Sequence, residues 1–239
     1  MNFKRLIPFM AALLVLLSLG IFSNGTAQAA IIAQVNFQDF ATVPPAGYLR
    51  DSGEPFGPRT GANQGTGENY GWVLEGSTSP VDMTAQGRNR TTGPELRLRT
   101  LVHMEPLNTV QAGAWEYEIP NGDYTVTVSV GDSENIDSTH RINVEGVNAI
   151  NNFVPSGALR FRESTISVTV NDGRLTIDAI GGVANANTKI NYVIIQDLVG
   201  NLPPRVLDSL PRNGDINVPV DTPIRTNGLS LPNGIPGVD

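Results

Sequence analysis

The sequence predicts an all-β chain folded as a jelly-roll β-sandwich, and three observations carry that prediction. Period-two alternation of β-branched and aromatic residues recurs along its middle 170 or so residues, on the order of one ordinary domain. Gly (25) and Pro (17) are plentiful and punctuate those runs, as many turns between short strands require. About eight strands follow one another with no convincing helix between them.

The first 29 residues read as a secretory signal: Lys4 and Arg5 precede an apolar run from Leu6 to Phe22, and Ala27-Gln28-Ala29 is a small-x-small cleavage site. The apolar run is short for a bilayer span, so no membrane span is expected after cleavage. The sequence has no cysteine, which excludes a disulfide framework, thiol chemistry and lipidation at the new N-terminus. Its formal charge of -7 argues against nucleic acid as a partner, because phosphate binding wants clustered Lys and Arg.

Ile31 to Phe37 is the first strand. Gln38 to about Pro94 reads as a long irregular segment that is rich in Gly, Pro, Asn and Thr and carries Phe40, Tyr48, Phe56, Tyr70 and Trp72. Such a segment on a rigid scaffold is where binding residues concentrate. Glu95 to Val102 reads as a strand with Leu96 and Leu98 inward. Ala112 to Gly131 reads as a hairpin around which the rest is built. Trp115, Tyr117 and Ile119 alternate along one arm, Pro120-Asn121-Gly122-Asp123 makes the turn, and Tyr124, Val126, Val128 and Val130 line the return. His140 to Glu145, Ser164 to Val170 and Arg174 to Ile180 are further strands, the last two joined by a second expected hairpin at Asn171-Asp172-Gly173. Lys189 to Leu198 is apolar on both faces and belongs in the middle of a sheet. The sandwich domain is thus placed at residues 30–199, a proline-stiffened linker at 200–204, and at 205–239 a segment too short to bury its own core, read as the start of a second β domain.

Four constellations bear on chemistry. Gly131-Asp132-Ser133 with Asp137 and His140 has the residue types of a serine esterase. An all-β chain that holds both blocks in one loop lacks the scaffold for a nucleophile, so a polar inter-strand loop is the better reading. Glu54, Glu68 and Glu75 are carboxylates in the long segment, and nothing singles out two of them for glycoside hydrolysis. Gln38 and Asp39 end the first strand and Asp197 ends the last. If those strands lie side by side, their oxygens suit a structural calcium ion, set against solvated strand ends. Tyr48, Tyr70 and Trp72 sit among polar residues, where rings can stack on the C–H face of a sugar while Asp51 and Asn69, with Arg59 and Asn63 nearby, bond its hydroxyls. The alternative for each ring is a place in the core.

The blocks GYLRDSGEPFG, ENYGWV, WEYEIPNGDYTVTVSVGD, HRINVEG, FVPS and DGRLTIDAIGG…NTKINYVIIQ, in that order, resemble the galactose-binding-like β-sandwich modules, the malectin-like and carbohydrate-binding modules of secreted bacterial proteins in particular. Similar domains also precede rhamnogalacturonan-acetylesterase-type catalytic domains. The resemblance spans about Ile31 to Leu198. It implies a secreted, non-catalytic sandwich that takes a poly- or oligosaccharide, often with structural calcium, within a longer multimodular chain. The segment PPRVLDSLPRNGDINVPVDTPI is similar to the opening of a bacterial Ig-like domain. The other expectations are a structural or adhesive spacer of a cell-surface protein and an accessory domain of a polysaccharide-active enzyme.

Overall fold

A computed structural model describes residues 29–65, 67–105, 111–184 and 186–198, together with the backbone of 208–210 and 225–227. In chain order the elements are β1 (Ile31–Phe37), β2 (Leu49–Asp51), β3 (Gly57–Pro58), β4 (Asn69–Leu74), β5 (Gly87–Asn89), α1 (Leu96–Arg99), β6 (Thr100–His103), β7 (Gly113–Glu118), β8 (Gly122–Gly131), β9 (His140–Val144), β10 (Val147–Phe153), β11 (Phe161–Val170), β12 (Arg174–Asp178) and β13 (Lys189–Asp197).

They form the expected jelly-roll sandwich. One sheet runs β11-β8-β13-β1-β2, with β6 also on β13 and β5 on β6; the facing sheet runs β10-β9-β12-β7-β4-β3. The last strand is central, between β8 and β1, as its two apolar faces require. Between the sheets lie Phe37, Tyr70, Trp72, Trp115 and Tyr117 with a layer of Val, Ile and Leu. Phe37 meets Trp72 and Trp115 edge-on, at centroid distances of 5.8 and 5.4 Å. That arrangement sets the positive edge of one ring against the negative face of another.

Neither expected hairpin is one. β7 pairs with β12 and β8 with β11, so both turns carry the chain from one sheet to the other. The two corners lie side by side: Asn121 Nδ2 donates to the Asn171 carbonyl (2.8 Å) and Asn121 Oδ1 accepts from Gly173 N–H (2.8 Å). A two-stranded ribbon therefore folds over the core as one unit. The tight hairpin is at Glu145-Gly146, between β9 and β10. Both residues have positive φ (51° and 71°), the backbone of a two-residue turn whose twist matches its strands.

Two further expectations are corrected. The long segment 38–94 holds β4, a strand buried in the second sheet, besides β2, β3 and β5. Leu96–Arg99 is one turn of helix rather than strand; Arg97 lies over the Tyr192 ring at 4.4 Å, which holds this turn against β13. Asp208–Leu210 (β14) and Arg225–Asn227 (β15) pair antiparallel. The remainder of 205–239, the linker 200–204 and residues 1–28 of the expected signal lie outside the described residues. Among the described residues no helix is long and apolar enough to cross a membrane.

Candidate functional site

The structure divides the five residues expected to hold a sugar. β4 alternates, so Tyr70 and Trp72 turn into the core, where neither has exposed surface. Asp51 is equally buried. Its Oδ1 accepts from Trp72 Nε1 (2.7 Å) and Gly53 N–H (2.8 Å), and its Oδ2 from Trp115 Nε1 (2.9 Å). Burial pushes the Asp51 carboxyl up to about 6, and Glu54 adds to the rise. Asp51, Trp72 and Trp115 come together as a polar pin through the core, with the Tyr70 hydroxyl donating to the Arg50 carbonyl; none of these residues makes a sugar platform, because a ring without exposed surface offers no face to a ligand. Tyr48 is half-buried on the outer face of the first sheet. Its ring stands edge-on to Tyr192 and its hydroxyl accepts from Arg97 Nη1 (3.0 Å). Asn69, on the opposite side of β4 from Tyr70, reaches the outer face of the second sheet. Arg59 is 6 % exposed and donates to the Glu54 and Pro55 carbonyls.

The expected calcium ligands are also separated. β1 and β13 do pair, but antiparallel, with Ile31 opposite Gln196 and Asn36 opposite Tyr192. The ends of the two strands therefore lie roughly 25 Å apart, at about 3.3 Å per residue. Asp39 instead caps its own turn, accepting from Ala41 N–H (2.9 Å) and Thr42 N–H (3.1 Å). Gln38 Nε2 donates to the Thr42 carbonyl, and Asp197 lies beside Ala30. Among the described residues no group of three or more His, Asp or Glu is placed to hold a metal ion.

The esterase-like block is an ion cluster centred on buried Asp132 and Lys189, with Asp137 exposed at its rim. Arg90 donates twice to Asp132 (2.9 and 2.6 Å), and Lys189 Nζ reaches Asp132 (3.1 Å) and Asp137 (2.6 Å). Burial alone would raise the Asp132 carboxyl, but the hydrogen bonds from Arg90, Glu134 N–H and Lys189 outweigh it and hold it well below the usual carboxylate range. His140 Nδ1 accepts from Lys189 N–H (3.2 Å), which puts its proton on Nε2. Burial, with Lys189 adding, lowers it to about 3. Ser133 Oγ has no hydrogen-bond partner among the described residues, so nothing couples it to that histidine as a nucleophile needs.

What the structure does assemble lies on the outer face of the second sheet. Trp115 and Tyr117 point into the core, so Ala114, Glu116 and Glu118 point out. By the same alternation Arg174, Thr176 and Asp178 of β12 and Arg141 and Asn143 of β9 point out. Their side chains hold one another across the strands. Asn69 Nδ2 donates to Glu118 (2.6 Å), Arg174 Nη1 to Glu116 (2.6 Å), Asn143 Nδ2 to Asp178 (2.6 Å), and Asn148 Nδ2 to Asn143 Oδ1 (3.0 Å). Arg174 also lies 4.2 Å over the ring of Phe56. Two depressions follow β7. One, of about 510 Å³, has Asn69, Glu118, Pro120 and Gly173 among its lining residues. The other, of about 490 Å³, is lined by Ala114, Glu116, Thr176 and Asp178 beneath the Gly76-Ser77-Thr78 loop. Although they face away from the core, Glu116, Asn143 and Asp178 are only 5, 6 and 8 % exposed.

No family model and no curated protein matches the chain. Among solved structures it is similar to protein YXIM of Bacillus subtilis (22 % identity, 70 % of this chain and 40 % of that one, TM-score 0.44). It is also similar to a β-glucuronidase of Bacteroides uniformis (14 %, 70 % and 18 %, 0.41) and to a family 35 carbohydrate-binding module of Clostridium thermocellum (19 %, 47 % and 89 %, 0.32). The chain thus spans less than half the length of the first two.

Of the residues on this outer face, sequence reading had singled out only Asn69. The signal for the others was the complement of the core pattern: Glu116 and Glu118 of β7 and Arg174, Thr176 and Asp178 of β12 at alternate positions, which read by itself as an ordinary solvent face.

Proposed function

We propose that the chain is a non-catalytic carbohydrate-binding module of an exported protein, holding a poly- or oligosaccharide along β7 on the outer face of the second sheet. The observation that carries this reading is the recessed set Glu116, Asn143 and Asp178. A solvent face leaves its polar side chains free to move in water. Here carboxylates and amides are fixed in mutual hydrogen bonds below the level of the surrounding loops. Fixed acceptors and donors bind hydroxyl groups without the entropy cost of ordering side chains on binding. The two depressions in line along one strand suit an extended chain of sugar rings, and the rim of the Phe56 ring supplies an apolar flank.

The test is a glycan array and polysaccharide pull-down with Ala30–Asp239, repeated on Asn143→Ala and Asp178→Ala. A specific hit that both variants weaken at least about tenfold, with their melting temperatures held, supports the reading; tenfold corresponds to about 1.4 kcal/mol. A blank array with folded protein overturns it in favour of a spacer domain. A hit untouched by these variants but lost in Tyr48→Ala moves the site to the opposite sheet.

A further inference from the structure

β10 and β11 are the edge strands of the two sheets on the same side of the sandwich. Between them opens a cleft of about 470 Å³, apart from the depressions along β7. Its wall includes Phe153, and the guanidinium of Arg162 lies 5.1 Å over that ring. The ring in turn stacks on buried His140, with centroids 6.1 Å apart and planes 22° from parallel, so the platform under Arg162 is rigid.

Among the described residues the contact with Phe153 is the one side-chain interaction of Arg162. Stacking engages the flat face of a guanidinium and leaves its in-plane N–H groups free. Two residues earlier, Arg160 Nη1 is buried without a hydrogen-bond partner. The one carboxylate along the cleft, Glu163, accepts from the Tyr192 hydroxyl, on the outer face of β11 opposite Ser129. Asn151 Oδ1 is taken by Arg141 (3.1 Å), which leaves its Nδ2 free, and Asn152 and Ser164 have no side-chain partner among the described residues. The cleft therefore presents a positioned cation without a counter-ion, beside amide and hydroxyl groups.

We infer that this cleft is a second subsite, selective for a sugar that bears an oxyanion, with Arg162 gripping the carboxylate or sulfate group through its free N–H edge. A planar fork and a carboxylate match in two parallel hydrogen bonds, while Asn152 and Ser164 lie beside it for the ring hydroxyls. The groove along β7 selects otherwise. Glu118 and Asp178 there are paired with amides rather than cations, so it disfavours an acidic sugar.

The test uses Ala30–Asp239 and four probes: glucuronic acid, galactose 6-sulfate, glucose and inorganic sulfate. Binding is read by calorimetry and by amide chemical-shift mapping. The expected result is that the acidic sugars bind at least tenfold more tightly than glucose, weaken as salt rises, and shift amides of 149–154 and 162–164. Arg162→Ala should abolish that preference and Arg162→Lys should keep part of it, since a point charge survives without the fork. Asn143→Ala should weaken neutral sugar in the groove yet leave in place the amide shifts that glucuronic acid causes at 149–154 and 162–164, which separates this subsite from the groove. Carboxylate and sulfate probes distinguish the two oxyanions, and inorganic sulfate alone shows how much the sugar ring contributes. Equal affinity for glucuronic acid and glucose, shifts on β7 and β12 instead, or an unchanged preference in Arg162→Ala would each overturn the inference.

Discussion

Replacing Asp51 with Asn should change how stability depends on pH in a direction fixed by its burial. The folded carboxyl titrates at about 6, against 3.8 for the free side chain. A raised value means the folded state binds this proton more tightly than the unfolded state does. The group therefore opposes folding above pH 6 and ceases to do so as pH falls from 6 towards 4. Linkage with those two values gives about 1.3 kcal/mol of stability gained by the wild type between pH 7 and pH 5 through this group alone. Asn cannot titrate, so Asp51→Asn lacks that gain. Asp51 shares no hydrogen-bond partner with the other groups that titrate over this interval, so their contributions should cancel in the comparison, apart from that of Glu54, whose charge adds to the rise at Asp51. The assay is urea unfolding of both proteins at the two pH values. The wild type should gain roughly 1 kcal/mol on the variant at pH 5 relative to pH 7. A difference near zero, or one of opposite sign, would show that the carboxylate between the two tryptophans is not desolvated as its environment requires.

Two further outcomes follow from the same geometry. Trp72→Ala should cost about 3–5 kcal/mol through the lost burial and the cavity it leaves, whereas Tyr48→Phe should cost about 1 kcal/mol, the worth of one hydrogen bond to Arg97; urea unfolding measures both, and a stable Trp72→Ala would return that ring to the surface. His140 and His103 are lowered by burial to about 3 and 4, so the stability they contribute is complete above pH 6.5 and is lost as pH falls towards those values; His140→Gln should flatten the acid limb of a pH–stability curve, and an unchanged limb would refute the assignment.

The strands were legible because one-sided burial writes period two into the chain. Val126, Val128 and Val130 face the core from β8 as their spacing demands, and β13 is central because both of its faces are apolar. The connections were not legible, for a physical reason. Pro120-Asn121-Gly122 and Asn171-Asp172-Gly173 supply the backbone of a reversal, but a reversal within a sheet and a corner between sheets place the same residues inward on both arms. What decides is the partner of each arm, and pairing is non-local. The one local mark of a corner is Asn121, whose amide bonds the neighbouring turn and not its own. β4 escaped notice because Gly71 breaks the run of side chains between Tyr70 and Trp72. That glycine is required by close approach: a Cβ there would meet Arg59 Nη2 at 2.1 Å and the Glu54 carbonyl at 2.6 Å.

For the candidate site, aromatic rings in a polar, glycine-rich segment were a poor guide. Such a segment can bury its rings whenever it supplies a strand, and a tryptophan's hydrophobic payload draws it inward once a buried acceptor satisfies its N–H. Asp51 is that acceptor, and it serves both Trp72 and Trp115. The same carboxylate that looked like a ligand for sugar hydroxyls is thus the reason two tryptophans can be core residues. The recognition proposed above then falls to side chains on the far side of the same strands. Every ring that β4 and β7 turn inward leaves its neighbour turned outward, which is how Tyr70, Trp115 and Tyr117 fix the positions of Asn69, Glu116 and Glu118. A substitution that slipped β7 by one residue would exchange the two sets, so the groove and the aromatic core stand or fall together.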